Sequence, residues 1–214
     1  MDAPLLVCAA VEEELARLLP RLGRGAARWQ GTLGGRRLVA APVGIGPVDA
    51  ALGAAAALAE RPAAAVFVGT CGAFPGTGLE IGAAVVVERS VLTASDAAAG
   101  LSYVPGPAQR TAYADRALCA ALAGGGAPLV GAATVVAITR DAERAAALRR
   151  TSGCEVEHME AHAFLRAAET AGIPAACVLG VSNEVGPLAH EQWKAHAPIA
   201  AGAAVGVLVR WLGA

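Results

Sequence analysis

The stretch "RRLVAAPVGIGPVDAALGAAAALAERPAAAVFVG", Arg36 to Gly69, holds two apolar runs separated by an alanine-rich segment. The first run follows Gly34-Gly35 and reads with "RWQGTL" as a hairpin. Gly44 and Gly46 then mark a tight turn, and Pro47 stands where a first helical turn accepts proline. "AAAVFVG" is short, β-branched and uncharged, as a strand buried on both faces must be. Strand, helix and strand in this order point to a parallel crossover. The same alternation extends outward from it. Upstream, "APLLVCAA" reads as a buried strand and "EEELARLLPRL" carries helical spacing. Downstream, "GAAVVVERSV", "LVGAATVVAI" and "PAACVLGVS" read as strands. "RDAERAAALRRT" and "EAHAFLRAAETAG" read as helices, the second closed by Gly172, and "HEQWKAHAPIAAGAAVGVLVRWL" as a last helical region bent at Pro198. Residues 93–112, rich in Ala, Ser, Gly and Pro, read as a long loop. The expectation is one domain over residues 1–214, a three-layer α/β/α fold with a mixed, largely parallel central sheet.

Composition narrows the function classes. A 214-residue chain is ample for a closed core, and 56% hydrophobic with 4% aromatic residues means a core of Ala, Val, Leu and Ile. Net charge is −1 with no basic block, so no nucleic-acid or anionic-membrane surface is expected. The alanine-rich runs are too short and too punctuated to span a bilayer. No basic flank precedes the first apolar run, so a secretory signal is not expected. Five scattered cysteines without a CxxC pair read as reduced, buried thiols of a cytoplasmic protein.

Ligands of such sheets sit beyond the carboxyl ends of the strands. Four segments occupy those positions: Glu12 to Glu14, "VGIG", "VGTCGAF" and "VSNEVG". Gly44 and Gly46 form neither a dinucleotide fingerprint nor a P-loop, and alone they read as a strand-to-helix turn. "EVEHMEAHAF", residues 155–164, opens a further choice. His158 and His162 are four apart, a spacing that places two zinc ligands on one helix face. However, Met159 follows the first histidine where a zinc protease has its glutamate, and no third ligand is suggested by spacing. A charged helix start with solvent-facing histidines fits Glu155, Glu157 and His162. The Met159-Glu160 pair instead places a carboxylate beside a soft apolar surface.

Taken together, these segments resemble the nucleoside phosphorylase/nucleosidase superfamily. "AAVEEELARLL", "VGIGPVDAALGAAAAL", "VGTCGAF" and "EVEHMEAHAFLRAAETAGIPAACVLGVSN" follow the order and spacing of its methylthioadenosine/S-adenosylhomocysteine nucleosidase branch. "VSNEVGP" followed by "EQW" most resembles the futalosine hydrolases, nucleosidases of an alternative menaquinone pathway. The resemblance implies a small-molecule purine nucleoside as substrate, no metal or cofactor, and a homodimer. It also implies roles. Glu14 matches the general base that takes a proton from attacking water, and Glu160 the carboxylate that binds ribose hydroxyls. Met159 would pack on the sugar, Thr70 and Gly72 would stand near the reaction centre, and Ile138 would contact the base.

Asn183 stands where adenine-specific relatives have Asp. An amide does not transfer a proton to purine N7, but its NH2 carries two donors. A 6-oxopurine offers N7 and O6 as adjacent acceptors, whereas adenine pairs an acceptor with an amino donor. Asn183 therefore suits hypoxanthine or guanine, although an amide also presents one donor and one acceptor. As a mere turn residue before Gly186 and Pro187 it needs no ligand at all. Phosphorolytic relatives need a cationic phosphate cradle near the first strand's end, where this chain carries its acidic triplet, so hydrolysis is expected over phosphorolysis. Arg140 and the Ala161-His162 continuation depart from the family pattern and leave the sugar's 5′ substituent open. A purine nucleoside phosphorylase and a catalytically silent nucleoside-binding homologue remain the rival readings.

Overall fold

The computed structural model describes residues 3–25 and 28–214. The chain opens with β1 (Leu5–Ala9), two 3-10 turns (Glu12–Leu15 and Leu19–Arg21), β2 (Gly23–Arg24), β3 (Trp29–Leu33) and β4 (Arg36–Pro42). Helix α1 (Gly46–Leu58) leads to β5 (Ala64–Ala73), β6 (Ala84–Leu92), α2 (Ser95–Ala98), β7 (Thr111–Tyr113) and α3 (Arg116–Ala123). Then follow β8 (Leu129–Thr134), α4 (Ala142–Ser152), β9 (Val156–His158), α5 (Ala161–Ala171), β10 (Ala175–Glu184) and α6 (Ala189–Trp211).

The crossover read from Arg36–Gly69 is present as β4, α1 and β5. Gly44 and Gly46 take φ of 102° and 79°, which a side chain rarely adopts, and Pro47 sits in the first turn of α1. Ala50, Ala54, Ala57 and Leu58 of α1 are buried with Ala161, Phe164, Leu165 and Ala168 of α5 against one face of the sheet. Leu118 and Leu122 of α3 and Ala204, Val205 and Leu208 of α6 cover the other face. The result is a three-layer α/β/α fold with a mixed sheet whose long central strands run parallel. β1 pairs in parallel with β4 and β5, and β5 in parallel with β10. The sheet also closes on itself. β10 pairs with both β5 and β6, and β6 continues through β8 and β9 back to β5. β9 joins β5 only at Gly72 and Ala73, beyond the point where β1 stops pairing at Phe67.

Several elements differ from the sequence reading, each for a local reason. "EEELARLLPRL" forms two 3-10 turns rather than a helix, because Pro20 interrupts it and Leu15 and Leu18 are buried at full depth. The strand read to Ile138 ends at Thr134; Val136 and Ile138 lie in the loop that follows, 71% and 48% exposed. Residues 93–112 contain the short helix α2, and the chain re-enters the sheet at Thr111. Helix α6 is a single helix containing Pro198, in keeping with the one helical region read there. Most consequentially, "VEH" is strand β9 and not a helix start, so Glu157, His158 and also His162 are buried rather than solvent-facing. The five cysteines are free and buried.

Candidate active site

Glu14, Thr70, Gly72, Ile138, Met159, Glu160 and Asn183, singled out from the sequence at separate places along the chain, line one cavity of about 350 Å³. Ala10, Ile45, Glu157, His158, Ser182, His190 and Trp193 complete much of its wall. It lies at the carboxyl ends of β1, β5 and β10, where a parallel sheet presents strand ends to a ligand.

Glu14 sits in the first 3-10 turn after β1, which swings its side chain back over the sheet. Its Oε1 accepts from the backbone N–H (3.0 Å) and hydroxyl (3.2 Å) of Thr70, and its Oε2 from the N–H of Ala10 (3.1 Å). These bonds fix the carboxyl without neutralising it. Burial, and secondarily the negative charge of Glu160, push its pKa up to about 7, against the opposing effect of the three hydrogen bonds. A carboxyl titrating there is a stronger base than an exposed glutamate and is still ionised in part at neutral pH.

Glu160 is held from two sides. Its Oε1 accepts from the N–H of Gly46 at 2.6 Å, at the positive end of α1. Its Oε2 lies 3.2 Å from His158 Nε2. The histidine's tautomer follows from its other nitrogen, Nδ1, which accepts from the backbone N–H of Ala161 (2.9 Å) and of Glu160 (3.2 Å). An acceptor nitrogen carries no proton, so the ring proton is on Nε2 and is donated to Glu160. Burial drives the pKa of His158 down to about 3, which keeps the ring neutral. Phe67 packs edge-on against it, with centroids 5.4 Å apart. His158 is thus neither a metal ligand nor a charged partner, but a neutral donor that aims the Glu160 carboxylate. His162 is the second residue of α5, its N–H donating to Thr134 Oγ1 at 3.1 Å, and among the described residues no three His, Cys, Asp or Glu side chains cluster as metal ligands.

Asn183 reaches the cavity through an irregularity. In β10, Leu179 and Val181 face the α1/α5 layer, and strict alternation would send residue 183 the same way. The register between β5 and β10 shifts after Val181, so that Asn183 pairs with Gly72 and shares its opposite face. Ser182 anchors the bulge, its hydroxyl lying 3.1 Å from the carbonyl of Cys71 and 2.8 Å from Asn183 Oδ1. Asn183 Nδ2 donates to the carbonyl of Glu184 at 3.1 Å and keeps a second N–H. Glycine is required at 72 because a methyl there would stand 2.8 Å from Asn183 Nδ2 and 2.9 Å from Val185 Cγ2. Met159 lies beside Gly46, its methyl 3.8 Å from where a Cβ would stand.

The site also holds residues that sequence reasoning did not select, among them Glu157, Ser182, His190 and Trp193. A three-residue strand gives no periodic signal, so Glu157 looked like a helix-terminal acid. His190 and Trp193 stack at the mouth, ring centroids 6.0 Å apart, and one helical turn separates them in sequence. Among the described residues, no lysine or arginine lines the cavity.

Comparison with known proteins agrees with this architecture. A futalosine hydrolase of Thermus thermophilus is 35% identical over 176 residues, covering 78% of this chain and 77% of that protein. The structure of a 5′-methylthioadenosine/S-adenosylhomocysteine nucleosidase from Helicobacter pylori, bound to butyl-thio-DADMe-Immucillin-A, superposes with a TM-score of 0.89 at 15% identity, covering 100% and 99% of the two chains. The corresponding nucleosidase from Colwellia psychrerythraea, in complex with adenine, gives 0.86 at 22% identity over 100% and 96%. The profile of the Phosphorylase superfamily matches residues 6–212, nearly the whole length, and the chain belongs to that family.

Proposed function

We propose that this protein is a purine nucleoside hydrolase of the futalosine hydrolase type, releasing hypoxanthine by attack of water at the ribose carbon and serving menaquinone synthesis in the cytoplasm. The observation that carries the reading is Glu14. Its carboxyl is fixed by Thr70 and Ala10, titrates at about 7, and stands in a cavity lined, among the described residues, by no lysine or arginine that would hold phosphate. Cleaving an N-glycosidic bond builds positive charge on the ribose and negative charge on the departing base. Glu14 takes the proton of the attacking water, and its charge, with that of Glu160, favours the oxocarbenium-like sugar. Glu160, aimed by His158 and Gly46, accepts the ribose hydroxyl protons, and Met159 packs on the sugar face. The free N–H of Asn183 meets the base on its N7 edge and stabilises the leaving purine by hydrogen bonding rather than by proton transfer.

No step requires a metal or organic cofactor. The identity with the Thermus protein supports the futalosine assignment. Ile45, just before α1, and Val48 and Leu52 in its first two turns are exposed at 60%, 71% and 68% beside the cavity, and the reading includes a second copy of the chain covering them. The test is a nucleoside panel run with and without phosphate, with base and sugar products identified by mass. Hypoxanthine and free sugar from futalosine without phosphate is the expected result. Sugar 1-phosphate as product identifies a phosphorylase instead, and binding without turnover identifies a silent homologue.

A further inference from the structure

We infer that Glu157 reads the Watson–Crick edge of the base, accepting the N1–H of a 6-oxopurine while Asn183 donates to its N7/O6 edge. The inference rests on the nucleosidase reading and names the base selectivity of that same site. Its first support is the register of the sheet. Gly72 pairs with Glu157 of β9 on one side and with Asn183 of β10 on the other. Directly paired residues project to the same face, so the carboxylate and the amide flank a glycine across two strand spacings, roughly 10 Å. That interval suits the six-membered ring of a purine with a hydrogen bond at either side, and Gly72 leaves its floor bare. All three residues line the cavity.

The second support is an incomplete hydrogen-bond account. Glu157 is 2% exposed, and its Oε1 accepts from the N–H of Thr139 at 3.0 Å. Its Oε2 is buried and, among the described residues, makes no well-formed hydrogen bond, although the Thr139 hydroxyl is close enough to favour the ionised carboxyl. A buried acidic oxygen left so is costly unless something absent from the chain completes it. Burial also raises the pKa of the carboxyl, with the N–H and hydroxyl of Thr139 opposing, and a donor from the ligand would favour its ionised form. The third support is chemical. N1 of hypoxanthine or guanine bears a proton, whereas N1 of adenine is a bare acceptor. An ionised Glu157 satisfies the first and sets acceptor against acceptor with the second, so the site rejects adenine by repulsion as well as by the weaker fit of Asn183.

Calorimetric binding of hypoxanthine, 1-methylhypoxanthine and adenine to the wild-type protein and to Glu157→Gln tests this. For the wild type, hypoxanthine binds roughly 10- to 100-fold more tightly than its 1-methyl derivative, the worth of one hydrogen bond to a charged group. In the variant hypoxanthine weakens by a similar factor while adenine holds or gains, since an amide N–H can donate to its N1. Equal wild-type affinity for hypoxanthine and 1-methylhypoxanthine overturns the inference, as does a parallel loss of both unmethylated bases in the variant. A preference of the wild type for adenine overturns it too and identifies Glu157 as a protonated donor. Because the methyl comparison needs no mutation, a variant that fails to fold leaves the test intact. The nucleosidase reading fails differently, through the absence of turnover on any purine nucleoside while bases still bind.

Discussion

At the scale of single residues, the site depends on two groups whose protonation is set by burial. Glu14→Gln keeps the shape and removes the proposed base, so the proposal predicts a kcat lower by about 10²- to 10⁴-fold with little change in KM, as steady-state kinetics would show. His158 makes a separate prediction. With Nδ1 committed to two backbone N–H groups and a pKa near 3, its ring stays neutral with the proton on Nε2 from pH 5 to 9. Nitrogen-15 shifts of the imidazole check this, and a titration in that range or a proton on Nδ1 contradicts it. His158→Phe strands two backbone donors and one carboxylate oxygen, which costs about 2–4 kcal/mol in urea unfolding and raises KM through a misaimed Glu160. The sequence showed Glu14, Glu160 and Asn183 as candidates because they stand where the resemblance to the nucleosidases places functional residues. It hid Glu157 and misplaced both histidines, because burial is a tertiary property that a stretch of charged letters does not reveal.

At the scale of elements, the long runs were legible and the short ones were not. β4, α1, β5, α5 and β10 were readable because each carries a full apolar face and a glycine or proline at its boundary. The 3-10 turn that holds Glu14 and the three-residue β9 owe their form to what packs on them rather than to periodicity. The bulge at Ser182 is equally silent in sequence, yet it decides which way Asn183 points. Close packing of α6 on β10 gives another prediction. A methyl at Gly180 would lie 1.9 Å from the carbonyl oxygen of Ala200, so Gly180→Ala forces the helix off the strand. The expected destabilisation is about 1–3 kcal/mol in denaturant unfolding. Because the helix also carries Trp193 and His190 at the cavity mouth, substrate affinity should fall with it.

At the scale of the whole molecule, the closed ring of β5, β10, β6, β8 and β9 explains how residues from distant parts of the chain meet. It also concentrates buried carboxyls, and that has a cost that depends on pH. The Glu14 pKa is about 7 in the folded chain against 4.5 for the ordinary group, so the folded state holds the proton more tightly. The associated stability is complete below about pH 4.5 and is lost as pH rises through about 7. Glu14→Gln should therefore be more stable than wild type at pH 8, by up to about 3 kcal/mol, with the gap closing toward pH 4. Melting curves at several pH values measure it, and an unchanged gap contradicts the assignment. The most direct measurement for the account as a whole is hypoxanthine release from futalosine in phosphate-free buffer, followed from pH 5 to 9 for the wild type and Glu14→Gln. The prediction is a wild-type kcat/KM that climbs through about pH 7 to a plateau and a variant that shows almost none of it. Release that waits on added phosphate, or that survives unchanged in Glu14→Gln, would contradict the claim that this carboxylate activates water.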